Sequence, residues 1–398
     1  MNYQDFFLQN IEKIKNDNRY RRFQEVKKSI SSFPVMENSN MQVWCSNDYL
    51  GMSVHPEVIK SLCATAEKRG VGSGGTRNIS GTTSEIIELE SNIAKFHKKE
   101  SGLVFTSGYV SNLATISAIT SIIPGIVIFS DQKNHASIIS GIRINNVKKH
   151  IFNHNDTNHL EELIKIYPIS TPKLIIFEGI YSMDSSTPNI QKIVEIAKKY
   201  NALTYVDEVH AVGLYGKSGR GISNLLNVDS EIDIIQGTFG KAFGVIGGYI
   251  TASAEICDAI RLNGSSFIFT TSLPPGICAA ISKSLEIVQS EAGDALRAKH
   301  FSTVKILKNG LKHRNIDYLS NPDIETHIIP VMIRNAAKAQ QISRMLLEKF
   351  AIYAQHINYP TVPVGEERIR ITTSPFHTAE MAEYLLNSLD FCIKNDPK

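Results

Sequence analysis

Long apolar runs are missing from this chain of 398 residues. The longest, around Ile116 to Phe129, is broken by serine, threonine, Pro124 and Gly125, and falls short of the roughly 20 residues that a membrane-spanning helix requires. Cysteine is scarce as well. The five present, Cys45, Cys63, Cys257, Cys278 and Cys392, are scattered and odd in number, which excludes a disulfide framework and suits buried thiols in a reducing, cytoplasmic setting. Neither HExxH nor a paired CxxC occurs, so the usual zinc spacings are absent. No serine is flanked as GxSxG, which removes the usual hydrolase elbow. Charge of one sign is not in excess either: a net +3 and a pI near 8.4 are too mild to imply nucleic acid. The start, Met1 to Phe7, carries an early acid and has no basic, apolar signal-peptide pattern. Internal repeats and low-complexity segments are absent too.

What is present is alternation. From Glu100 to Ala252 short apolar runs, Leu103 to Ser107, Ile126 to Asp131, Leu174 to Ile180, Leu203 to Asp207, Ile232 to Thr238 and Gly248 to Thr251, alternate with segments of helical period. This pattern predicts an α/β fold with a largely parallel sheet and covering helices. Between two of these runs, Asn189 to Tyr200 places Ile190, Ile193, Val194, Ile196 and Ala197 on one helical face, with Pro188 placed to start the helix. Residues 1–48 read as an amino-terminal arm with a polar amphipathic helix and the basic cluster Arg19 to Arg22. Residues 49–285 read as the large domain, and 286–398 as a smaller one.

Two glycine-rich stretches fail as nucleotide sites. Gly70 to Gly75 matches GxGxxG, but it follows the helical pattern Pro56 to Arg69 instead of a strand. Gly216, Lys217 and Ser218 resemble the end of a P-loop, yet Ala211 stands where its first glycine is required.

Lys241 lies in a run of small residues, Gly237 to Tyr249, after a buried-looking strand. Burial disfavours an ammonium, and a neutral amine is what attacks an aldehyde to form a Schiff base. A solvated lysine beside a glycine turn is the plain alternative. Upstream, the apolar run Ala202 to Val206 ends in Asp207, Glu208 and His210, and a carboxylate there could face a pyridinium nitrogen. These three could otherwise hold a metal, or Asp207 could cap a loop. In sheets of this class ligands collect beyond the carboxyl ends of the strands, where Ser107, Asp131, Tyr181, Asp207 and Lys241 all fall. Ser107, Gly108 and Tyr109 join a strand to a helix whose amino terminus could receive a phosphate. His135 follows another strand and could stack on a cofactor ring. Arg370, in the strand-like run Arg368 to Thr372, could grip a carboxylate bidentately.

Taken together, these residues resemble the α-oxoamine synthase family of fold-type I pyridoxal phosphate (PLP) enzymes. The resemblance covers nearly the whole chain and is carried by Val43 to Met52, Gly72 to Thr83, Asn134 to Ser137, His154 to Asp156, Tyr181 to Asp184, Val206 to Gly216, Phe267 to Pro275 and Ile357 to Pro363. It implies a large domain with a mostly parallel seven-stranded sheet and a smaller α+β carboxy-terminal domain. The strings Gly75 to Thr83 and Asn358 to Pro363 favour the branch that condenses glycine with succinyl-CoA, releasing CoA and carbon dioxide to give 5-aminolevulinate for haem.

By this resemblance Lys241 would carry PLP and remove a glycine Cα proton, Asp207 would face the pyridine nitrogen, His135 would stack on the ring, and His210 would bond the phenolic oxygen. Ser182 and Thr238 would complete the cofactor contacts, with Ser107, Gly108 and Tyr109 near the phosphate. Thr270 and Thr271 would reach the phosphate in a neighbouring subunit of a homodimer. Arg370 would hold the glycine carboxylate, and Thr76 and Asn78 would shape a small pocket. Arg21 and Thr361 would bind the distal carboxylate of the succinyl group, with Ser130 and Lys149 meeting CoA. The long leader of mitochondrial members is lacking, in keeping with a cytoplasmic enzyme.

Two departures stand out. Ser185 and Ser186 replace a common Gly-Asp, and Val364 stands where a basic residue is frequent. The alternatives are a synthase of the 2-amino-3-ketobutyrate CoA ligase type, using another acyl-CoA, and a catalytically silent homologue. Arg21 and Thr361 argue against the first, and the presence of Lys241, Asp207, His210 and Arg370 against the second.

Overall fold

The computed structural model describes residues 2–37 and 39–395. The chain divides into two compact units. The central unit comprises Leu50–Tyr181 and Thr187–Arg297, and the terminal unit Met1–Tyr49, Ser182–Ser186 and Ala298–Lys398.

The central unit is built on seven strands: β1 (Ser101–Phe105), β2 (Val127–Asp131), β3 (Lys149–Phe152), β4 (Lys173–Glu178), β5 (Leu203–Asp207), β6 (Ile234–Thr238) and β7 (Gly248–Ala252). Their order in the sheet is β1-β7-β6-β5-β4-β2-β3. Strand β7 runs antiparallel to both of its neighbours, and the remaining pairings are parallel. The interior strands β4 to β6 are buried on both faces, which explains why they read as continuous apolar runs and not as alternating ones. Edge strand β3 is half exposed, and the sequence pattern passes it over.

Local chemistry sets the helices. The helix Ile190–Tyr200 buries the five apolar residues expected of it and ends on Asn201 in the left-handed region. Its amino-terminal cap is Asn189, whose side chain accepts from the Lys192 amide; Pro188 precedes the cap and is not the first helical residue. The helix Gly108–Ile122 is capped by Ser107. It packs with β1, β2, β4 and β7 into a core that includes Leu103, Ile116, Ile128, Ile176 and Ile250.

The terminal unit holds a three-stranded antiparallel sheet, with β10 (Arg368–Ile371) between β8 (Ile329–Met332) and β9 (Gln355–Ile357). The amino-terminal arm joins this unit through a short parallel pairing of Gln42–Val43 with Ile352–Tyr353. Trp44 enters its core beside Ile329, Ile369 and Leu385. The first helix, Tyr3–Asn16, buries no residue. No helix among the described residues is long and apolar enough to cross a membrane.

Candidate active site

Lys241 sits at the tip of the hairpin that joins β6 to β7. The hairpin is closed by Phe239 N–H to the Gly247 carbonyl (3.0 Å), Val245 N–H to the Phe239 carbonyl (2.9 Å) and Gly244 N–H to the Lys241 carbonyl (2.8 Å). Gly244 adopts φ +69°, and a Cβ there would collide with the Ser53 backbone, so the turn requires glycine on both counts. Thr238 tightens the base of the hairpin: its Oγ1 donates to the Gly247 carbonyl (2.8 Å) and accepts from Gly240 N–H (3.1 Å). Lys241 Nζ lies 3.0 Å from Nε2 of buried His210.

Asp207 ends β5, in register with Glu178 on β4 and Gln236 on β6. It is only 1% exposed. Its Oδ2 accepts from Asn112 Nδ2 (2.7 Å) and its Oδ1 from Val209 N–H (3.0 Å). Glu178 is equally buried, and burial, reinforced by the nearby Asp207 charge, pushes its carboxyl well above the usual range. Glu208, one residue on, serves another purpose: its carboxylate accepts from Ile222 N–H (3.0 Å) and Ser223 N–H (2.8 Å) at the start of a short helix. No group of residues that could hold a metal ion exists among the described residues.

His135 is fixed by Glu178, whose Oε1 accepts its backbone N–H at 2.7 Å. Its Nδ1 meets Ser137 Oγ at 2.7 Å and accepts Ser137 N–H at 3.2 Å. That backbone donor assigns the proton of the neutral ring to Nε2. Burial lowers the His135 pKa; the Asp207 charge opposes the shift and that of Lys241 adds to it. Lys241 and Asp207 thus both act on His135 and on Glu178. Sequence reasoning missed Asn112, Glu178 and Tyr205, the last donating to Asn112 Oδ1 at 2.6 Å. A lone acid closing an apolar strand, in register with Asp207, was the available signal for Glu178.

At the start of the helix Gly108–Ile122, Ser107 uses Oγ for the Val110 amide (3.1 Å) and its carbonyl for the Ser111 amide (3.0 Å). The amides of Gly108 and Tyr109 lead the helix, where no intrahelical acceptor exists. A Cβ at Gly248 would collide with the Ser107 carbonyl, so this helix end is pressed onto the sheet edge. The Tyr109 ring stands edge-on to His135, with centroids 6.4 Å apart, and its hydroxyl meets Ser140 Oγ at 2.9 Å.

Thr76 and Thr271 face each other in an isolated antiparallel bridge, with Thr270 immediately before it. Thr76 Oγ1 donates to Asn78 Oδ1 at 2.8 Å. Ser130 is buried in β2, where its hydroxyl accepts from Asn134 Nδ2 at 2.9 Å. Lys149 opens β3 two positions before Ile151, the residue paired with Ser130. The two therefore stand at different levels of the sheet.

In the terminal unit Arg370 is 6% exposed. Its Nε donates to the Ser182 carbonyl (2.8 Å), Nη1 to Asn47 Oδ1 (3.2 Å) and Nη2 to the Tyr49 hydroxyl (3.3 Å). The two long contacts to neutral partners are ones that a carboxylate could replace with stronger, charge-assisted bonds. Arg21 lies exposed in the arm, and its Nη2 donates to Thr361 Oγ1 at 2.8 Å.

An amine beside an imidazole, a fixed buried carboxylate and a helix amino terminus define the donor set of a fold-type I PLP-dependent enzyme. The chain matches the family "Aminotransferase class I and II" over residues 39–389. It is 50% identical to the 5-aminolevulinate synthase of Rickettsia prowazekii, over 97% of this chain and 93% of that protein. It is 45% identical to the erythroid-specific mitochondrial 5-aminolevulinate synthase of Danio rerio, over 97% of this chain and 67% of that protein. Among solved structures, the serine palmitoyltransferase of S. paucimobilis with bound PLP and myriocin superposes with a TM-score of 0.89 at 27% identity, covering 98% of this chain and 96% of that one. The chain belongs to the class I and II aminotransferase family of PLP-dependent enzymes and, within it, to the 5-aminolevulinate synthases.

Proposed function

We propose that this protein condenses glycine with succinyl-CoA, releasing CoA and carbon dioxide and giving 5-aminolevulinate for haem synthesis. The observation that carries the reading is the pairing of Lys241 Nζ with His210 Nε2 at 3.0 Å, alongside the buried carboxylate of Asp207. Bound PLP supplies the electron sink that lets a glycine Cα proton leave.

The residues then have distinct tasks. Lys241 would hold the cofactor, and its amine would accept the Cα proton at Nζ. His210 orders that amine and the oxygen substituent of the ring, while Asp207 keeps the ring nitrogen protonated. His135, neutral and with its proton on Nε2, covers the ring face. The amides of Gly108 and Tyr109, with Ser107, would hold the phosphate end, and Ser182 and Thr238 would complete the cofactor contacts. Arg370 takes the glycine carboxylate, and Thr76 and Asn78 limit the amino acid to a small one. Arg21 and Thr361 take the distal carboxylate of the succinyl group, and Ser130 and Lys149 serve the CoA portion.

A homodimer belongs to this reading, with Thr270 and Thr271 serving the partner's phosphate. The exposed apolar residues Val71, Ile79, Leu262 and Phe269 in the same unit support it. Five unpaired cysteines support a cytoplasmic location. Parallel assays with glycine and succinyl-CoA, acetyl-CoA or octanoyl-CoA, following CoA release and 5-aminolevulinate, test the function. Turnover with succinyl-CoA alone is expected; equal turnover with acetyl-CoA would overturn the role of Arg21.

A further inference from the structure

Asn112 lies one turn into the helix Gly108–Ile122 and is fully buried. Its amide is at the centre of three polar groups. Nδ2 donates to Asp207 Oδ2 at 2.7 Å and to Ser137 Oγ at 3.0 Å, while Oδ1 accepts from the Tyr205 hydroxyl at 2.6 Å. Chemistry fixes the orientation of this amide: an ionised carboxylate only accepts, so nitrogen faces Asp207 and oxygen faces Tyr205. Because Ser137 Oγ receives a proton from Asn112, its own proton is available to His135 Nδ1 at 2.7 Å. One directed chain therefore runs from Tyr205 through Asn112 and forks to Asp207 and, by way of Ser137, to His135.

We infer that Asn112 is a positioning residue that orients the Asp207 carboxylate and, through Ser137, holds His135 with its proton on Nε2, thereby fixing the geometry of two groups that serve the cofactor ring. Asp207 needs such help. Around it stand Glu178 from β4, Glu208 and Tyr205 from its own strand and the turn after it, Tyr249 from β7, His135 and Lys241. Of these, only Lys241 and a protonated His135 can bear positive charge, and burial drives His135 towards neutrality. Two directional donors, Asn112 Nδ2 on Oδ2 and Val209 N–H on Oδ1, thus fix one oxygen each of a carboxylate set among other acids.

The inference rests on the PLP reading, and the test separates the two. Wild type, Asn112→Leu and Tyr205→Phe are each loaded with PLP labelled at its ring nitrogen. The readouts are the chemical shift of that nitrogen, the PLP dissociation constant and thermal melting. Wild type should show a protonated ring nitrogen; failure of wild type to bind PLP would overturn the PLP reading itself. Asn112→Leu should move the shift towards the unprotonated ring and weaken PLP binding roughly tenfold or more, the loss of about one charge-assisted hydrogen bond. Tyr205→Phe keeps the ring that packs the core, guards against misfolding of the first variant, and should move the same signals in the same direction but less. A folded Asn112→Leu or Tyr205→Phe protein with the wild-type nitrogen shift would overturn the inference and leave the PLP reading standing.

Discussion

At the carboxyl ends of its parallel strands the central unit buries acids, Asp131, Glu178, Asp207 and Glu208, whereas the terminal unit buries imidazoles and guanidiniums, His300, His327, His377, Arg368 and Arg370. Of these, the guanidiniums Arg368 and Arg370 carry positive charge, whereas burial keeps the imidazoles of His300 and His377 neutral. A carboxylate-rich pocket raises the basicity of an amine and of a pyridine ring, and dry guanidiniums select carboxylate substrates. The difference teaches that the two units bury different polar groups, each costly to bury and each held by directed hydrogen bonds; on the proposed reading, the first set would serve the cofactor and the second the substrate.

The largest effect should come from striking the central unit alone. Lys241→Ala should abolish the PLP link that borohydride makes permanent, read by intact mass, and lower turnover by roughly 10³-fold or more, the scale of losing a general base and covalent anchor together. On the proposed reading glycine should still bind to the variant, because the contacts of Arg370 are untouched. Retention of the borohydride-fixed mass would defeat the assignment of Lys241.

Striking the terminal unit should divide the effect differently. Arg370→Leu removes a buried charge that already has three partners, and should raise the glycine KM by roughly a hundredfold, as the loss of charge-assisted bonds implies. PLP binding should not change. Arg370→Lys, which keeps charge but not the fork, should recover only part of the loss. Steady-state kinetics with each substrate varied in turn checks this, and a larger change in the succinyl-CoA KM than in the glycine KM would place Arg370 at the wrong carboxylate.

Acid should separate the units as well. Burial pushes His300 down to about 3 and His377 down to about 4, and in the central unit His97 down to about 3. A histidine whose folded pKa is depressed contributes stability above its unfolded pKa, and that stability is lost as pH falls from about 6.5 towards the folded value, at about 1.4 kcal/mol per unit. Glu178 and Glu208 have the opposite sign. Their folded pKa values are raised, so their stabilising contribution is full below the unfolded pKa and is lost as pH rises. Between pH 7 and 5 the central unit thus recovers part of what its depressed histidines, His97 and His135 among them, cost. No carboxyl with a raised pKa offsets His300, His356 and His377 among the described residues of the terminal unit. The terminal unit should therefore lose more stability than the central unit at pH 5. Trp44, the single tryptophan, lies against the His377 ring at 3.8 Å in the terminal core and reports that unit selectively. Its emission should shift at lower urea than the helical circular dichroism at pH 5, and the two should draw together at pH 7.

The strands of the central sheet were legible because their apolar runs are buried on both faces. Edge strand β3 was not, since Lys149 to Ile151 remain partly exposed and carry no such run. Lys241 and Asp207 stood out because few roles suit a lysine among glycines or an acid ending a strand. Asn112 and Glu178 act only through register and helix phase: Glu178 is brought beside Asp207 by strand pairing, and Asn112 by one turn of a helix whose start sits on the sheet. The Arg21 to Thr361 contact joins residues 340 apart, and no local pattern encodes it. Family resemblance supplied that pair, as it supplied Ser130 and Lys149.

The smallest effect concerns Ser182–Ser186, the stretch from the middle of the chain that belongs to the terminal unit. Arg368 Nη1 holds the Met183 carbonyl at 2.8 Å and Arg370 Nε the Ser182 carbonyl at 2.8 Å, so the two guanidiniums depend on the path of this segment. Ser185 takes φ +64°, is fully buried, and leaves its hydroxyl without a partner. A non-glycine residue in the left-handed region costs about 1–2 kcal/mol, and an unpaired buried hydroxyl adds to that. Glycine returns part of the gain through the greater freedom of the unfolded chain. Ser185→Gly should therefore stabilise the terminal unit by about 1 kcal/mol, seen as a higher urea midpoint of Trp44 emission with the central unit unchanged. Ser185→Ala deletes the hydroxyl and keeps the strained backbone, so it should recover only the smaller share. If alanine stabilised as much as glycine, the unpaired hydroxyl and not the backbone would be the source of the strain.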